Sequence, residues 1–231
     1  MLSSDPSVFG DMLTRTFKIR LTGSNGVGTG FGLGDGGRQY LVTAAHVLTG
    51  FSGVLEVERY NTWVPHAGRL VGISGQGDVG VLALDTPLVY PTPVVPDTHA
   101  KVSERLFFLG FPFAQGTGDR VNEGNQIPYV KAGIVSALMN DGGVGSGGFY
   151  LDALNNPGFS GGPVISGGSP PRILGIVSAG MLNPSPTFDP SGKAAGYTNE
   201  SSGLVFCYGI ELALDLIRKN PIGPLQPARK P

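Results

Sequence analysis

Cysteine is almost absent, because Cys207 is the one cysteine among 231 residues. A single thiol excludes an internal disulfide, so the fold must depend on its apolar core, which fits a reducing compartment. Cys207 lies in the apolar stretch GLVFCYGI, where a buried small hydrophobic residue is expected. Residues 1–20 lack the basic start and apolar stretch of a signal peptide. The expected location is therefore the cytoplasm.

Charge and long apolar runs are also scarce. The chain has 16 Lys and Arg against 17 Asp and Glu, with no long basic run before the C-terminus and no apolar run of membrane-spanning length. This composition predicts neither a nucleic-acid partner nor a membrane partner. Three scattered histidines provide no zinc-binding spacing, and GLGDGG (32–37) joins two strand-like runs instead of opening a helix. No metal and no cofactor are expected.

Glycine and proline are abundant, with 38 and 19 residues respectively. They separate about a dozen short apolar runs, the pattern of strands joined by tight turns. About six runs precede the Pro-rich segment 86–100 and about six follow it, which predicts an all-β protein of two barrels. One helix is predicted over Ile210–Asn220, followed by a loose Pro-rich tail, 221–231. The segment Met181–Gly203 is predicted to be a long loop.

The three histidines differ in their surroundings. His46 follows a strand-like run in YLVTAAHVLTG, where small residues would let an imidazole reach a cleft. His66 and His99 lie in turn-like segments and are interpreted as ordinary surface residues. An imidazole that acts as a base needs a carboxylate to orient it. Asp78, directly before a strand, is the preferred candidate, and Asp85 is interpreted as a turn residue.

Ser160 stands in NNPGFSGGPVIS, residues 155–166, among closely spaced glycines. A serine hydroxyl is too weak an acid to attack unaided and needs an imidazole to accept its proton. The attack creates an oxyanion, which is stabilised by backbone N–H groups already directed at it. Gly158 can adopt the positive φ that points its N–H into such a site. The segment therefore predicts a displayed nucleophile beside a glycine-built oxyanion hole.

Three motifs occur in one order along the chain: VTAAH, DVGVLAL and GFSGGPVI. In this order they resemble the His, Asp and Ser motifs of the chymotrypsin-like (trypsin-fold) serine peptidases. ILGIVSAG is similar to the strand that follows the nucleophile. LGFPFAQGTG followed by VKAGIVSAL is similar to the second-barrel opening of the bacterial HtrA (DegP-like) branch. The resemblance covers residues 17–220.

The resemblance implies two six-stranded antiparallel β-barrels of the chymotrypsin type with a C-terminal α-helix. Residues 1–220 would form a single peptidase domain. Within it, the first barrel would span about 17–90, the second about 104–209 and the helix 210–220.

The resemblance also assigns roles to residues and a peptide or protein as substrate. His46 would be general base and then general acid, Asp78 would orient it, and Ser160 would form the acyl-enzyme. The N–H groups of Gly158 and Ser160 would form the oxyanion hole. The expected cleft-edge strand that pairs with substrate backbone comprises Ser178, Ala179 and Gly180.

The chain departs from the family pattern in three places. Phe159 replaces the Asp that secreted members pair with a new N-terminal amine, so no N-terminal activation cut is expected. Its ring is instead predicted to pack beneath the nucleophile turn, contributing about 2 kcal/mol by burial. Leu154 occupies the pocket-base position, which implies an uncharged, apolar P1 preference. Only the Pro-rich tail follows Asn220, so PDZ-based regulation is not carried over.

Three functions are compatible with these motifs. The first is an active serine endopeptidase. The second is a catalytically silent peptide-binding module on the same fold, because fold and motif do not guarantee activity. The third is an esterase or other acyl hydrolase, although the chain lacks the G-x-S-x-G elbow and the βαβ alternation of α/β-hydrolases. Labelling by a fluorophosphonate at Ser160 separates the enzyme from the silent module.

Overall fold

The computed structural model describes residues 6–88, 95–117, 120–121, 124–139, 147–168 and 171–226. Within these ranges the chain is mostly β-strand. In this part of the chain no helix is long and apolar enough to cross a membrane.

Six strands close into an antiparallel barrel in the N-terminal half. They are β1 (Thr16–Leu21), β2 (Gly28–Asp35), β3 (Arg38–Thr43), β4 (Val54–Arg59), β5 (Thr62–Ile73) and β6 (Gly80–Leu84). The order around the barrel is β1-β2-β3-β6-β5-β4. Gly36 and Gly37 both have positive φ, as a two-residue hairpin between β2 and β3 requires. Alternate residues such as Phe17, Ile19 and Leu41 point inward and are fully or almost fully buried.

Nine further strands follow. They are β7 (Val95–Pro96), β8 (Arg105–Gly110), β9 (Arg120–Val121), β10 (Asn125–Gln126), β11 (Tyr129–Met139), β12 (Gly148–Asp152), β13 (Pro163–Ser166), β14 (Arg172–Phe188) and β15 (Ala194–Gly209). The second sheet has the order β13-β8-β11-β12-β15-β14, with β7 at the start of β14. Because β13 also pairs with β14, these six strands return on themselves. The chymotrypsin-like arrangement predicted from the sequence is thus confirmed.

In the described part of the chain two α-helices flank the strands, α1 (Pro6–Thr14) and α2 (Glu211–Lys219). The sequence predicted α2 to within one residue at each end but did not predict α1. Apolar residues at helical spacing bury one face of α2 against the first barrel. The last turn of α2 carries Arg218 and Lys219, which complement the negative end of the helix dipole.

The chain after α2 is not loose where it is described, so the prediction of a loose tail is wrong for residues 221–226. The N–H of Gln39 donates to the Pro224 carbonyl at 3.0 Å, and the N–H of Gln226 donates to the Gly37 carbonyl at 2.9 Å. The Arg38 guanidinium donates to the Gly223 carbonyl at 2.6 Å. These bonds dock the segment on β3. Without it, the outer backbone groups of β3 would have to form their hydrogen bonds with water. Residues 227–231 lie outside the described residues.

The predicted long loop Met181–Gly203 is also wrong, because this segment is a β-hairpin. We call these residues the arm. Strands β14 and β15 continue past the barrel and remain paired from Leu182 opposite Ser201 to Phe188 opposite Ala194. A polar turn closes the arm, where a carboxylate oxygen of Asp189 accepts hydrogen bonds from nearby backbone N–H groups. Gly, Ser, Pro and Asn in this segment indicated a loop, but their alternation permits two extended strands.

Replacing Glu211 with glutamine should stabilise the protein at alkaline pH. Burial raises the pKa of this half-buried carboxyl at the start of α2 to about 7, from 4.5. The unfolded chain therefore releases the proton at lower pH than the folded one, and stability falls as pH rises from about 5 to about 8. Partial exposure limits the effect to about 1 kcal/mol, or about 2–4 °C in Tm.

Thermal unfolding at pH 5 and pH 8 checks this prediction. The Tm of E211Q minus that of wild type should be more positive at pH 8 than at pH 5. Equal differences at the two pH values would mean that Glu211 titrates as an ordinary exposed carboxyl.

Candidate active site

His46 and Asp78 are in direct contact at the rim of the first barrel. His46 lies in a 3₁₀ turn, Ala45–Leu48, immediately after β3, and Asp78 lies in the turn before β6. Because β3 and β6 are neighbours, these two turns meet. One carboxylate oxygen of Asp78 accepts the His46 backbone N–H at 2.8 Å, and the other lies 2.6 Å from Nδ1. A carboxylate only accepts, so Nδ1 carries the proton and Nε2 is left as the free base.

The contact between His46 and Asp78 raises the pKa of the first and lowers the pKa of the second. The hydrogen bond to Asp78 raises the pKa of His46 above 6.5, although burial of the ring opposes this. Burial alone would raise the pKa of Asp78, but hydrogen bonds from His46 and Ser178 outweigh it and lower the pKa. Asp78 is therefore ionised at neutral pH, and it stabilises the protonated form of the imidazole. The other aspartate considered, Asp85, is exposed and lies beyond β6.

Ser160 is connected to this pair through Ser178 on β14. The hydroxyl of Ser178 donates to Asp78 at 2.7 Å, and its carbonyl accepts the Ser160 hydroxyl at 2.9 Å. Within the described residues no hydrogen bond joins the Ser160 hydroxyl to the His46 ring. Hydrogen bonds between catalytic groups are often unformed without substrate, and rotation about one side-chain bond redirects a serine hydroxyl.

The turn that carries Ser160 can be built only from glycine at two positions. Gly158 and Gly161 have φ of 105° and 86°. A Cβ at Gly158 would collide with the carbonyl oxygen of Phe111, and one at Gly161 with the carbonyl oxygen of Thr29. Both positive φ and close backbone approach therefore exclude other residues.

The backbone around Gly158 leaves donors free for an anion. The carbonyl of Pro157 accepts the Phe113 N–H at 2.7 Å, and the carbonyl of Gly158 accepts the Thr29 hydroxyl at 2.6 Å. Both carbonyls are thus engaged elsewhere. Among the described residues, the N–H groups of Gly158 and Ser160 donate to no backbone carbonyl.

Thr29 holds the two barrels together at this point, a role that sequence reasoning missed. Its N–H donates to the Ser160 carbonyl at 2.9 Å, and its hydroxyl also accepts the Phe111 N–H at 3.3 Å. Thr29 is fully buried, so these bonds are shielded from water. Its motif, GVGTGFGLG, shows a strand with glycines but gives no sign of partners about 80 to 130 residues away.

Phe159 packs beneath the turn that carries Ser160, as predicted from the sequence. Its side chain is fully buried, and its ring meets that of Phe108 edge-on with centroids 5.1 Å apart. The ammonium of Lys131 lies 5.3 Å from the centroid of the Phe159 ring. A phenyl ring attracts a cation through its quadrupole, so the ammonium of Lys131 stabilises the buried Phe159 ring.

Lys131 is the second residue that sequence reasoning missed. Its ammonium donates to the Leu154 carbonyl at 2.7 Å and to the Asn156 side-chain oxygen at 2.5 Å. Partial burial lowers its pKa. These bonds tie the segment before the nucleophile turn to β11, although Lys131 lies 23 residues before the nearer partner.

The remaining predicted substrate-binding residues lie along one open surface. Leu154 is 63% exposed, so its side chain is not enclosed in a pocket, and its contact with a P1 side chain stays a prediction. Ala179 is exposed and Gly180 half-buried on β14. A Cβ at Gly180 would lie 3.2 Å from that of Asn155, so glycine keeps the space between these two segments open.

The other two histidines take no part in this site. His99 is exposed and pairs with Asp97 at 3.2 Å, as expected of a surface residue. His66 is half-buried on β5, and its Nε2 is buried without a hydrogen-bond partner. The expectation of an ordinary surface residue is therefore wrong for His66. No group of three or more metal-ligating side chains occurs in the described residues.

Comparison with known families agrees with this geometry. The family model of the trypsin-like peptidase domain matches residues 28–176. No curated protein matches the chain.

Solved structures share the fold at low sequence identity. The HtrA-type protease AlgW with tripeptide has 22% identity and a TM-score of 0.63 over 93% of this chain, which spans 62% of the AlgW chain. The Rv3671c protease from M. tuberculosis, in its inactive form, has 19% identity and a TM-score of 0.60, with 92% of each chain covered. A serine endoprotease from Yersinia pestis has 18% identity and a TM-score of 0.61, covering 95% of this chain and 67% of that one. At these identities the likeness shows the fold alone.

Proposed function

Because this chain belongs to the family of trypsin-like peptidase domains, we propose that it is a serine endopeptidase that cleaves peptide bonds through an acyl-enzyme on Ser160. His46 is the general base and then the general acid, and Asp78 orients it. The N–H groups of Gly158 and Ser160 stabilise the oxyanion. The substrate is an extended segment of a peptide or protein that binds along β14.

The observation that carries this proposal is the double hydrogen bond between Asp78 and His46. Asp78 accepts both the backbone N–H and the Nδ1–H of His46, while Ser178 donates to the same carboxylate. Three donors hold the carboxylate at a fixed angle, and the carboxylate holds the ring. The imidazole therefore keeps Nε2 free as a base of raised proton affinity, and Ser160 is the partner that we assign to it.

The proposed reaction uses these groups in sequence. Nε2 of His46 takes the hydroxyl proton of Ser160 while the oxygen bonds to the substrate carbonyl carbon. The carbonyl oxygen becomes an oxyanion and accepts hydrogen bonds from the N–H groups of Gly158 and Ser160. The protonated imidazole then gives its proton to the leaving amine as the C–N bond breaks. A water molecule, deprotonated by the same imidazole, hydrolyses the ester and regenerates the serine hydroxyl.

Labelling by a fluorophosphonate tests the assignment of the nucleophile. Wild type should incorporate about one label per chain, because the reagent reacts with a serine that is activated by a base. Ser160→Ala should incorporate none. Ser136→Ala is the matched control, because Ser136 is exposed on β11 and should not affect labelling.

The alternative function, a catalytically silent peptide-binding module, gives the opposite result. The bond from the Ser160 hydroxyl to the Ser178 carbonyl favours this alternative, since it occupies the proton that His46 would accept. If the chain is such a module, the wild type should bind unfolded peptide but should incorporate no fluorophosphonate label. Labelling that persists in Ser160→Ala would place the reactive serine elsewhere.

A further inference from the structure

The strand β14 has one edge that is paired in the barrel only as far as Val177. On this edge the N–H of Val177 donates to the Gly162 carbonyl, and its carbonyl accepts the Gly161 N–H. A bulge at Val177 and Ala179 then turns Ser178 toward the same edge, where its carbonyl accepts the Ser160 hydroxyl. Beyond Ser178 none of the described strands pairs with this edge.

The edge continues outward along the arm. The register between β14 and β15 shifts between Gly180, opposite Val205, and Leu182, opposite Ser201, and the extra residues at this shift lie on β15. Backbone groups of successive residues in β14 still point to alternate sides, so Gly180 and Leu182 face the same side as Ser178. The positions of two prolines support this register independently. Pro184 and Pro186 lie opposite Asn199 and Tyr197 in a run without register shifts, and proline cannot donate to a ladder. Even-numbered residues of the arm therefore face away from β15.

The two prolines also set the length of the usable edge. Ser178, Gly180 and Leu182 each carry an N–H, whereas Pro184 and Pro186 carry none. A strand added to this edge can form paired hydrogen bonds as far as Leu182 and loses a donor at every later position. Proline at an edge is a common protection against pairing with other chains.

We propose that the first part of the arm extends the substrate-binding edge, so that substrate backbone pairs at three positions: P1 with Ser178, P3 with Gly180 and P5 with Leu182. This inference rests on the proposed function and adds the length of the recognised segment. P1 lies opposite Ser178 because the attacked carbonyl must lie at Ser160, which contacts the Ser178 carbonyl. Antiparallel pairing then places each earlier residue of the substrate one position farther along β14.

A substrate segment is the occupant that the geometry favours. The edge begins beside Ser160, and β14 remains a single strand into the arm although its register with β15 shifts between Gly180 and Leu182. A strand bound at P1 and P3 therefore continues toward Leu182. Addition of an extended peptide to a free sheet edge is a common mode of peptide capture. The side chain of Leu182 is 58% exposed and would lie beside that of P5, which favours an apolar P5 residue.

Cleavage of peptides of increasing length tests the proposal. A peptide that wild type cleaves is first identified by digestion of denatured casein, and versions with four to eight residues before the scissile bond are then compared. Addition of P5 should raise kcat/KM about tenfold, because one or two additional backbone hydrogen bonds to the bound substrate correspond to a change of about this size. Further residues should change it less than twofold.

Two reciprocal substitutions in the arm test the register. Leu182→Pro removes a single outward N–H, and the ratio of kcat/KM with and without P5 should fall toward one. Pro184→Ala restores an outward N–H, and a new increase should appear when P7 is added. Comparison of ratios within each variant corrects for any change in folding or overall activity.

The outcomes distinguish this inference from the proposed function. If wild type cleaves no peptide and takes no fluorophosphonate label, the proposed function fails. If it cleaves peptides but kcat/KM is the same from four to eight residues, the extended edge is wrong while the function stands. An increase at P5 that survives Leu182→Pro would show that side-chain contacts, and not backbone pairing, recognise this residue, and would overturn the register.

Discussion

Replacing Ser160 with alanine should lower kcat/KM about 10⁶-fold, and adding His46→Ala to that variant should lower it no further. In the proposed mechanism the two residues act in one proton transfer, so the second substitution removes nothing that the first has left. Hydrolysis of a fluorogenic peptide derived from casein measures both variants. Binding of the same peptide should survive in Ser160→Ala, because the edge of β14 remains intact.

Additive losses would contradict this expectation. If the double variant were weaker than Ser160→Ala by a factor comparable to that of His46→Ala alone, His46 would have a separate function. Circular dichroism and Tm of each variant serve as controls. Neither side chain is fully buried, and their removal should leave the fold unchanged.

Replacing Asp78 with asparagine should lower kcat about 10⁴-fold. The amide keeps the size of the carboxylate but offers an NH₂ group where the structure has an acceptor. It can therefore bond to the deprotonated Nδ1 and hold the wrong tautomer, with the proton on Nε2. Steady-state kinetics on the same peptide measure the loss, and fluorophosphonate labelling should slow in parallel.

The pH dependence of activity provides the second readout of Asp78. His46 must be neutral to accept a proton, so kcat/KM rises as pH passes the pKa of His46. The hydrogen bond to Asp78 raises that pKa above 6.5, so the acid limb of wild type should lie above this value. In Asp78→Asn the negative charge is lost and the limb should move to lower pH. An unchanged acid limb would show that Asp78 does not control the protonation of His46.

The sequence by itself determined the architecture and the chemical groups of the site. Short apolar runs punctuated by glycine and proline encode strands and tight turns locally, so the all-β class follows from composition and spacing. The residues His46, Asp78 and Ser160 could be selected because each stands in a motif of small residues beside a strand. Gly158 could be selected for the same local reason, since only glycine tolerates its backbone conformation.

Only the tertiary structure decided which groups are held together and where substrate can extend. Thr29 and Lys131 bond to the nucleophile turn and to the segment before it from strands far away in the sequence. Ser178 links Asp78 to Ser160. Nothing in a local pattern specifies such partners, because they depend on how the barrels pack.

The arm and the docked segment 221–226 both differ from the predicted loops. Both are rich in the residues that predict loops, yet the two halves of the arm pair with each other and residues 221–226 dock on β3. Local sequence determines which backbone conformations a segment can adopt. Hydrogen bonds to a partner segment, within the hairpin for the arm and to β3 for residues 221–226, decide which of these conformations the folded protein uses.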